Sequence, residues 1–534
     1  MGIKDLWELI APAERRYSLE ELCGDRWLRS DAKALRLAID TSIWTFQAQS
    51  SQGGSRPDLR LIFFRFARIY ELGIRPVFVF DGPCRHPLKR DKLVDTRIHD
   101  TEFRRALLQL IDMFKFQAWM GNGEAEAECA ALERLGVVDA ILTGDVDVFL
   151  FGGRRVIRGW PRKKHDKVPC YDSLWIQQNI GLTRADLILI ALLRGGDYDT
   201  KGTAGVGIVV AEALARCQHH RKLFEMISND QEIDKRTLDD FRDNINYEIS
   251  SGCQGRIRRN CLVQVSDEFP DMQILREYIR PKSNIAKKEY LSDCRELTRF
   301  LDCGKDRDVD LENLALFCRE AFQWNDDTIL QKFRNLLFSG FARNRLCRKT
   351  AEPDTSSISQ LQQRRRSKVK DSSAQTTVNN FFSVTKSSTT PHRETANIYR
   401  ILQSKTFGSS IKFYLVEYDQ SLLDTFIDTI KQALTQTTPI FSSIFEHCLK
   451  KPAGEEQVAY EEEEDDDGDT KDTGLDRVRR RWVAAKIVEA SYPMVAKTYE
   501  EAKRSRLTKK HKKNTVGKTR QMSMLDFFQT QSSQ

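Results

Sequence analysis

Acidic residues follow short apolar runs at three places in the sequence, in positions where they could bind a metal ion. Asp40 ends the segment ALRLAID, Asp81 ends RPVFVFD, and Asp145 and Asp147 close AILTGDVD. Apolar runs without alternation, joined by helical segments, are typical of strands in a parallel sheet that is buried on both faces. The carboxyl ends of such strands lie along one edge of the sheet, where α/β folds bind ligands. We therefore expect these aspartates to converge.

Carboxylates that converge in this way repel one another at neutral pH, so either several are protonated or a cation lies among them. Oxygen ligands with no accompanying His or Cys suit Mg²⁺ or Mn²⁺. Taken singly, each acid could instead be a solvated loop residue or a helix N-cap. The pattern as a whole favours a magnesium site.

Two further carboxylates, Glu124 and Glu126, open a helical pattern in the segment GNGEAEAE. Because residues two apart cannot share one face of a helix, we expect one at the helix start and the other in the first turn, or one that acts through water. Asp145 and Asp147 would share a face if the chain is extended between them.

The composition of the chain bounds its class. It has 534 residues and a formal net charge of +8, and is long enough for two or three domains. An acidic block at 461–469 contrasts with basic runs at 364–370 and 503–513, and the basic runs favour a nuclear location. No stretch is apolar enough to span a bilayer, so we expect an intracellular protein without a membrane partner. The 12 cysteines include no CxxC pair, and we predict reduced thiols that are neither disulfides nor zinc ligands.

Four segments occur in a specific order in the first part of the chain: MGIKDLW at the N-terminus, GNGEAEAECAAL (121–132), LTGDVDVFLFG (142–152) and LLRGGDYDTKGTAGVG (192–207). Together they resemble the XPG/flap-endonuclease superfamily of structure-specific nucleases over roughly the first 300 residues. The resemblance implies a PIN-like α/β fold of the 5′-nuclease type, with a parallel sheet and a helix-hairpin-helix. Two Mg²⁺ ions, for which Mn²⁺ can substitute, would be held by seven carboxylates: Asp40, Asp81, Glu124, Glu126, Asp145, Asp147 and Asp197. Two ions about 4 Å apart stabilise both the attacking and the leaving oxygen of a phosphodiester.

The segment TAGVGIV (203–209) has the hydrophobic-Gly-hydrophobic pattern of a helix-hairpin-helix. Gly205 and Gly207 let backbone amides approach a DNA phosphate at the start of the following helix. The resemblance also implies a possible K⁺ ion at this hairpin. The chain has Thr203-Ala204, and also Asn122, where the family often has proline, but neither change removes a ligand. Asp199 is expected to be a turn residue.

The interval between Asp81 and Glu124 carries a long helical arch in flap endonucleases, whereas here it holds 42 residues. An arch this short cannot enforce threading of a free 5′ end, which suits a junction substrate and resembles the GEN/Yen class of Holliday-junction resolvases. The predicted DNA contacts in this nuclease region are Gly2, Lys89, Arg97, Arg104 and Arg105. The basic residues among them could equally be solvated on a helix face.

After a linker the apolar pattern returns, with strands expected at 398–402 and 411–418, a helix at 422–434, and helical spacing from Trp482 to Lys503. The pieces FYLVEY and WVAAKIVEASYPMVAKTYEEAKRSRLTKK resemble the chromodomain of GEN-type resolvases, interrupted by an acidic insertion of roughly sixty residues. Lys509 and Lys510 are predicted to bind DNA. Tyr399, Tyr418 and Trp482 could form a methyl-lysine cage, although core and edge aromatics are the favoured interpretation.

We predict six segments: two XPG nuclease regions (1–110, with the short arch, and 111–200), a helix-hairpin-helix and helical region (201–345), a disordered linker (346–395), a chromodomain-like domain (396–510) and a disordered tail (511–534). The tail contains QMSMLDFF, which fits a PCNA-interacting motif through Gln521, Met524, Phe527 and Phe528. QTTVNNFF (375–382) fits less well.

The sequence favours a magnesium-dependent junction-resolving endonuclease that also cuts 5′ flaps. It would be a monomer in solution and a homodimer on the junction, with branched DNA and possibly a PCNA-type clamp as partners. The alternatives are a 5′-flap endonuclease at replication forks and a non-catalytic chromatin or DNA-binding protein.

Overall fold

The computed structural model describes residues 2–24, 34–94, 101–259, 262–284, 308–349, 398–407, 411–445, 479–506 and 508. The chain forms two compact units, one of Met1–Gly340 with Ile427–Gly468 and one of Phe341–Phe426 with Asp469–Gln534. Several predicted DNA contacts and the PCNA-like motif lie outside the described residues: Arg97, Lys509, Lys510, Gln521, Met524, Phe527 and Phe528. None of the described helices is both long and apolar enough to cross a bilayer.

A seven-stranded sheet organises the first unit, in the order β1-β9-β8-β7-β2-β3-β6. Its strands are β1 (Arg15–Tyr17), β2 (Arg36–Asp40), β3 (Arg75–Phe80), β6 (Gln117–Met120), β7 (Ala140–Leu142), β8 (Arg155–Ile157) and β9 (Val168–Asp172). The pairs β2–β3, β2–β7, β3–β6 and β7–β8 are parallel, and β1 and β9 add an antiparallel edge. A two-stranded hairpin, β4 (Leu88–Lys89) and β5 (Lys92–Leu93), stands apart from the sheet. The predicted α/β class with a parallel sheet is confirmed.

Helices cover the sheet and continue beyond it. They are α1 (Leu6–Ile10), α2 (Leu19–Gly24), α3 (Thr41–Gln49), α4 (Pro57–Leu72), α5 (Glu102–Met113), α6 (Ala125–Arg134), α7 (Ser173–Ile180), α8 (Arg184–Arg194), α9 (Ile208–Cys217), α10 (Arg221–Ser228), α11 (Lys235–Ser251) and α12 (Met272–Ile279), followed by Leu311–Phe322, Asp326–Leu336 and Phe338–Lys349. Short 3-10 turns occur at Ala11–Ala13, Val146–Phe149 and Cys253–Gly255.

Packing of these elements explains why the central strands read as continuous apolar runs. Every residue of β2 and β3 after the first is buried, because helices cover both faces of a parallel sheet. On one side α4 packs Phe63 and Phe66 into an aromatic cluster, with Phe66 4.7 Å from Phe78 of β3 between ring centroids. The helix α8 begins with a capping box in which Thr183 and Asp186 satisfy each other's backbone amides. These contacts hold the carboxyl edge of the sheet in place.

A three-stranded antiparallel sheet forms the centre of the second unit, in the order β10-β11-β12. The strands are Ile398–Phe407, Ile411–Tyr418 and Arg480–Ala484, and the helix Ala485–Ser491 and the helical stretch 493–506 belong to the same unit. Two further described helices are Gln420–Leu434, which starts in this unit, and Ser442–Phe445, which belongs to the first unit. The predicted strands and the helix near 422–434 are confirmed. The helix predicted to start at Trp482 is wrong at its beginning, because Trp482 pairs with Leu415 in the β11–β12 ladder and the helix starts at Ala485. Tyr418 is fully buried and Tyr399 is 65% exposed, so these two do not line one open aromatic cage.

Candidate active site

The first two acids lie side by side because their strands are neighbours. Asp40 is the last residue of β2 and Asp81 directly follows β3, its parallel partner. Ser42 links them: its backbone N–H donates to Oδ1 of Asp40 at 2.9 Å and its hydroxyl donates to Oδ2 of Asp81 at 3.1 Å. Thr143, which follows β7, donates to Oδ2 of Asp40 at 3.1 Å. Three adjacent strands thus build one end of the site.

Glu124 and Glu126 come from the start of a helix, as their spacing predicts. Glu124 is the N-cap of α6 and Glu126 lies in its first turn. The N–H of Ala125 donates to Oδ1 of Asp81 at 2.9 Å, which fixes the helix start against the end of β3. One carboxylate oxygen each of Asp81, Glu124 and Glu126 lie within 4.8 Å of one another. These three acids therefore form a single group.

Asp145 and Asp147 reach the site by a different geometry from the one considered in the sequence. The chain is not extended between them but forms the 3-10 turn Val146–Phe149, with Asp145 as its N-cap accepting from the N–H of Asp147 at 3.1 Å. A tight turn therefore aims both buried acids at one place. Oδ1 of Asp147 also accepts from the N–H of Ile3 at 3.2 Å.

Gly2 lies directly against this turn. Its φ is 81°, and a Cβ there would clash with the carboxylate oxygens of Asp145 and Asp147. Both the backbone conformation and the close approach require glycine. The N-terminal segment thus packs against Asp145 and Asp147. The predicted contact of Gly2 with DNA stays a prediction.

Lys89 occupies the middle of the acidic group, although it was predicted to steer phosphate from an arch. Its Nζ lies 2.7 Å from Glu124, 3.5 Å from Asp197 and 4.0 Å from Glu126. The β4–β5 hairpin folds back over the sheet edge and carries Lys89 there. Arg90, the next residue, makes a two-pronged ion pair with Asp197 at 2.8 and 3.0 Å. All seven predicted carboxylates therefore belong to one connected cluster, which we call the carboxylate cluster.

Burial and mutual repulsion shift the pKa values of the acids in the carboxylate cluster. Burial, with a further contribution from Asp81, raises the pKa of Asp40 to about 7. Burial also raises the pKa values of Glu124, Glu126, Asp145 and Asp147, and acidic neighbours raise each of them further. Burial alone would lower the pKa of Lys89, but the carboxylates around its ammonium group outweigh that effect and raise it. The acids thus outnumber the cations that face them.

The donor set fits a hard divalent cation. Six of the seven carboxylates are buried, and Oε1 of Glu124 and Oδ2 of Asp145 are buried without a hydrogen-bond partner among the described residues. Buried acceptors without donors are costly, and a cation satisfies several at once. The seven predicted ligands offer carboxylate oxygens alone, which is the set that Mg²⁺ and Mn²⁺ prefer.

The hairpin after α8 lies beside the carboxylate cluster in sequence and is exposed. Gly205 (φ 80°) and Gly207, the N-cap of α9, are exposed while Val206 between them is buried. A Cβ at Gly207 would meet open space, so no other residue packs against this side of the turn. Asp199 is exposed and accepts from the N–H of Lys201 at 3.0 Å, the turn role expected for it.

Arg104 and Arg105 do not reach the acids in this structure. Arg105 is exposed, whereas Arg104 is half-buried and its guanidinium stacks over Phe80 of β3, 4.8 Å from the ring centroid. Their predicted contact with DNA stays a prediction.

Sequence reasoning missed several residues that shape the cluster. Arg90 pairs with Asp197, Arg85 lies 3.3 Å from Asp81, and Ser42 joins two of the acids. Glu128, the third glutamate of the GEAEAE run, has a structural role instead, since it accepts from the amides of Asn122 and Asn284. The position of Ser42 is a signal that could have found it, since Ser42 lies in the first turn of the helix that the strand-ending Asp40 caps.

The sequence matches two family descriptions over the region that builds this site: the XPG N-terminal domain over residues 1–100 and the XPG I-region over residues 115–197. Flap endonuclease GEN-like 1 of Arabidopsis thaliana is 33% identical over 242 residues, which cover 40% of this chain and 39% of that protein. Flap endonuclease GEN homolog 1 of Homo sapiens is 32% identical over 229 residues, covering 39% of this chain and 24% of that protein. The chain thus spans well under half the length of these two relatives.

Solved structures resemble the chain over most of its length. The Holliday junction-resolving enzyme GEN1, crystallised with product DNA and a Mg²⁺ ion, gives a TM-score of 0.62 at 25% identity over 94% of this chain and 100% of that one. The junction-resolving enzyme GEN-1 with potassium gives a TM-score of 0.63 at 25% identity, with the same coverage. The chain thus carries the XPG N-terminal and XPG I-region domains in order, and its carboxylates gather at the sheet edge that these two regions build.

Proposed function

We propose that this protein is a structure-specific DNA endonuclease that resolves Holliday junctions by paired symmetric nicks and also cuts 5′ flaps. The observation that carries the proposal is the carboxylate cluster, in which buried acids converge with too few cations to neutralise them. Relatives with the same regions are named flap endonucleases, and a similar solved structure holds product DNA and Mg²⁺.

Two Mg²⁺ ions, or Mn²⁺ in their place, would be held by the seven carboxylates and would supply the stabilisation of charge on the attacking and leaving oxygens. Ser42, Thr143 and the amide of Ala125 keep the carboxylate oxygens oriented toward the shared space. Lys89 offsets part of the negative charge of Glu124, Glu126 and Asp197 when no ion is bound. Once bound cations neutralise the acids, the ammonium group of Lys89 would be able to pair with a phosphate of the substrate.

The exposed turn around Gly205 and Gly207 would bind the DNA backbone at some distance from the phosphate that reacts. Backbone amides at a helix N-terminus bind phosphate without reading bases, which suits an enzyme that recognises shape. A similar solved structure is described with bound potassium, and we propose that the same turn binds K⁺ through backbone oxygens here.

A junction is favoured over a threaded flap by the region between Asp81 and Glu124. In the described part of this interval, residues 82–94 form a loop with the β4–β5 hairpin, and α5 packs its buried face on the core. Neither element encloses a strand end. A 5′-flap endonuclease at replication forks is the second candidate, favoured by the PCNA-like motif, and a non-catalytic chromatin or DNA-binding protein is the third.

The remaining parts of the proposal concern assembly and location. The three-stranded sheet and its helices would act as a chromodomain-like module that grips DNA through its basic C-terminal helix. Two copies would pair on a junction, because its two-fold symmetry calls for two cuts while each chain has one carboxylate cluster. A nuclear location fits the basic runs, and the tail motif would bind a PCNA-type clamp.

Cleavage of three labelled substrates separates these candidates. An immobile four-way junction, a 5′ flap and a linear duplex are incubated with Mg²⁺, and products are mapped on every strand, with chelator as control. The proposal expects symmetric nicks in two opposing junction strands, one cut in the flap and none in the duplex. A rapidly cut flap beside an intact junction would replace the proposal with the flap endonuclease, and tight binding without any cut would replace it with the non-catalytic protein.

A further inference from the structure

Two cysteines and a glutamate meet far along the chain from the carboxylate cluster, where α9 ends beside the end of α11. Cys217 is the last residue of α9, Glu248 lies in the last turn of α11, and Cys253 opens the following 3-10 turn. One ligand atom of each, two sulfurs and a carboxylate oxygen, lie within 4.8 Å of one another. Glu248 and Cys253 are buried and Cys217 is half-buried. This spacing is what three ligands of one small cation require.

His219 completes the set of possible ligands and closes its outer side. Its Nε2 lies 3.0 Å from Oε1 of Glu248, and its ring is 30% exposed. The other oxygen of Glu248 is buried without a hydrogen bond of normal geometry from any described residue, although the Cys217 thiol lies beside the carboxylate. One oxygen of Glu248 is therefore held by an imidazole, and the carboxylate also lies beside the two sulfurs.

The backbone at Cys253 has a conformation that directs its side chain. Its φ is 46°, in the left-handed region that residues other than glycine, asparagine and aspartate rarely adopt. Gly252 before it, also left-handed, ends α11 and turns the chain back, so that Cys253 faces the end of α9. Strained conformations of this kind persist where the surroundings fix them and are concentrated at functional sites.

The donor types of the group suit a thiophilic divalent cation, because two sulfurs and a carboxylate oxygen meet beside one half-buried imidazole. A divalent cation that binds both sulfurs replaces their two protons, so that two thiolates and one carboxylate face its two positive charges. Arg256, whose charge acts on Cys253, partly offsets the excess.

We propose that Cys217, Glu248 and Cys253 bind one zinc ion, with His219 holding the Glu248 carboxylate and shielding the site from solvent. Thiolate ligands select zinc over magnesium, and a mixed sulfur, oxygen and nitrogen environment is within its range. The ion would tie the end of α9 to the end of α11, and α9 is the helix that starts at the exposed Gly205–Gly207 turn. For these two cysteines the proposal departs from the prediction that no cysteine binds zinc. Their positions 36 residues apart form no CxxC pattern.

The test measures bound metal in the full-length protein, purified from zinc-supplemented cells and dialysed against Mg²⁺. We expect about one zinc per chain by plasma mass spectrometry, and near zero for the Cys217→Ser/Cys253→Ser double variant. Cys318→Ala, which removes a buried thiol elsewhere, should keep its zinc, as should Asp145→Asn in the carboxylate cluster. His219→Ala should bind zinc roughly 10–100-fold more weakly, the usual effect of losing a partner that orients a ligand.

A second readout does not depend on whether the double variant folds. Cobalt added to the zinc-stripped wild-type protein should give thiolate-to-metal charge-transfer absorption, which reports sulfur ligation directly. Absence of zinc together with absence of this band would overturn the proposal. A Cys217–Cys253 disulfide, found by non-reducing mass spectrometry in metal-free protein, would overturn it too, as would zinc that is lost with Asp145→Asn and kept by the double cysteine variant.

Discussion

Buried carboxylates occur in both units of the molecule, but their surroundings differ. In the second unit Glu417 is 3% exposed and faces three arginines, Arg400 at 2.6 Å, Arg480 at 3.5 Å and Arg479 at 3.6 Å. In the first unit six buried acids and Asp81 face mainly Lys89, Arg90 and Arg85. Three arginines more than neutralise Glu417, whereas the acids of the carboxylate cluster have too little positive charge around them. The difference distinguishes an ion pair that stabilises the fold from a cluster that is completed by cations from outside.

The largest expected effect is on cleavage. Asp40→Asn or Glu124→Gln should lower junction cleavage by orders of magnitude and leave junction affinity within about twofold, because phosphate is held by other groups. Single-turnover cleavage and a binding titration measure the two quantities. Asp199→Asn, an exposed turn residue, is the matched control and should cut at the wild-type rate. A rate near wild type for Asp40→Asn would remove that residue from the site.

For the free energy of unfolding, a substitution at Glu417 should have a larger effect than one at Asp40. Glu417→Gln should lower the free energy of unfolding of its unit by about 3 kcal/mol, the low end for breaking a buried ion pair, because Arg400 is 56% exposed. Denaturant titration measures this loss, with the exposed Glu501→Gln as control. Asp40→Asn in chelator should be as stable as wild type or more so, since it removes one of several repelling charges. A large destabilisation by Asp40→Asn would mean that the carboxylate cluster is balanced without ions.

Removing the positive charges of the basic C-terminal helix should weaken DNA binding, with a smaller effect than the two preceding changes. Residues Ile427–Gly468 belong to the first unit, where Phe441 packs 5.4 Å from Phe317, so deleting everything after residue 390 would damage that unit as well. Neutralising the exposed Lys503, Arg504 and Arg506 with glutamine avoids this. Each lost phosphate contact should reduce the slope of log affinity against log salt by about 0.9. An unchanged slope would make the module a protein-binding domain instead.

The smallest effect is a dependence of thermal stability on pH. The raised pKa of Asp40, about 7, lies above its unfolded value, so the folded protein binds the extra proton and, without ions, loses stability as pH rises from about 4 to about 7. The raised pKa values of Glu126 and Asp147 act in the same direction. Bound Mg²⁺ should offset this loss. The melting temperature in Mg²⁺ minus that in chelator should therefore grow with pH, and a difference that is constant with pH would contradict this account.

The sequence located the acids well because each depends on short-range structure. Asp40 and Asp81 stand at strand ends and Glu124 stands at the start of a helix, and parallel pairing brings such positions to one edge of the sheet. The 3-10 turn at Asp145 was not foreseen, since four residues carry little periodicity. Lys89 is predicted to contact DNA, and Arg90 has no predicted role, because nothing local indicates that their hairpin folds back onto the acids.

Contacts that join distant segments were the hardest to foresee. Trp482 has helical spacing with the residues after it, yet β12 pairs with β11 across a long intervening segment. That pairing depends on tertiary contact rather than on local pattern. The approach of Cys217 to Cys253 similarly depends on how α9 packs against α11, and no spacing rule for metal ligands covers it.

The most direct test of the central claim uses a supercoiled plasmid that extrudes a cruciform, incubated at saturating enzyme with Mg²⁺. Two nicks within the lifetime of one complex convert this circle to a linear molecule, whereas independent nicks release the supercoiling and the junction with it. The account predicts linear product from the start of the reaction, and none in chelator or with Asp40→Asn. Accumulation of singly nicked circles without linear product, or no cleavage at all, would contradict it.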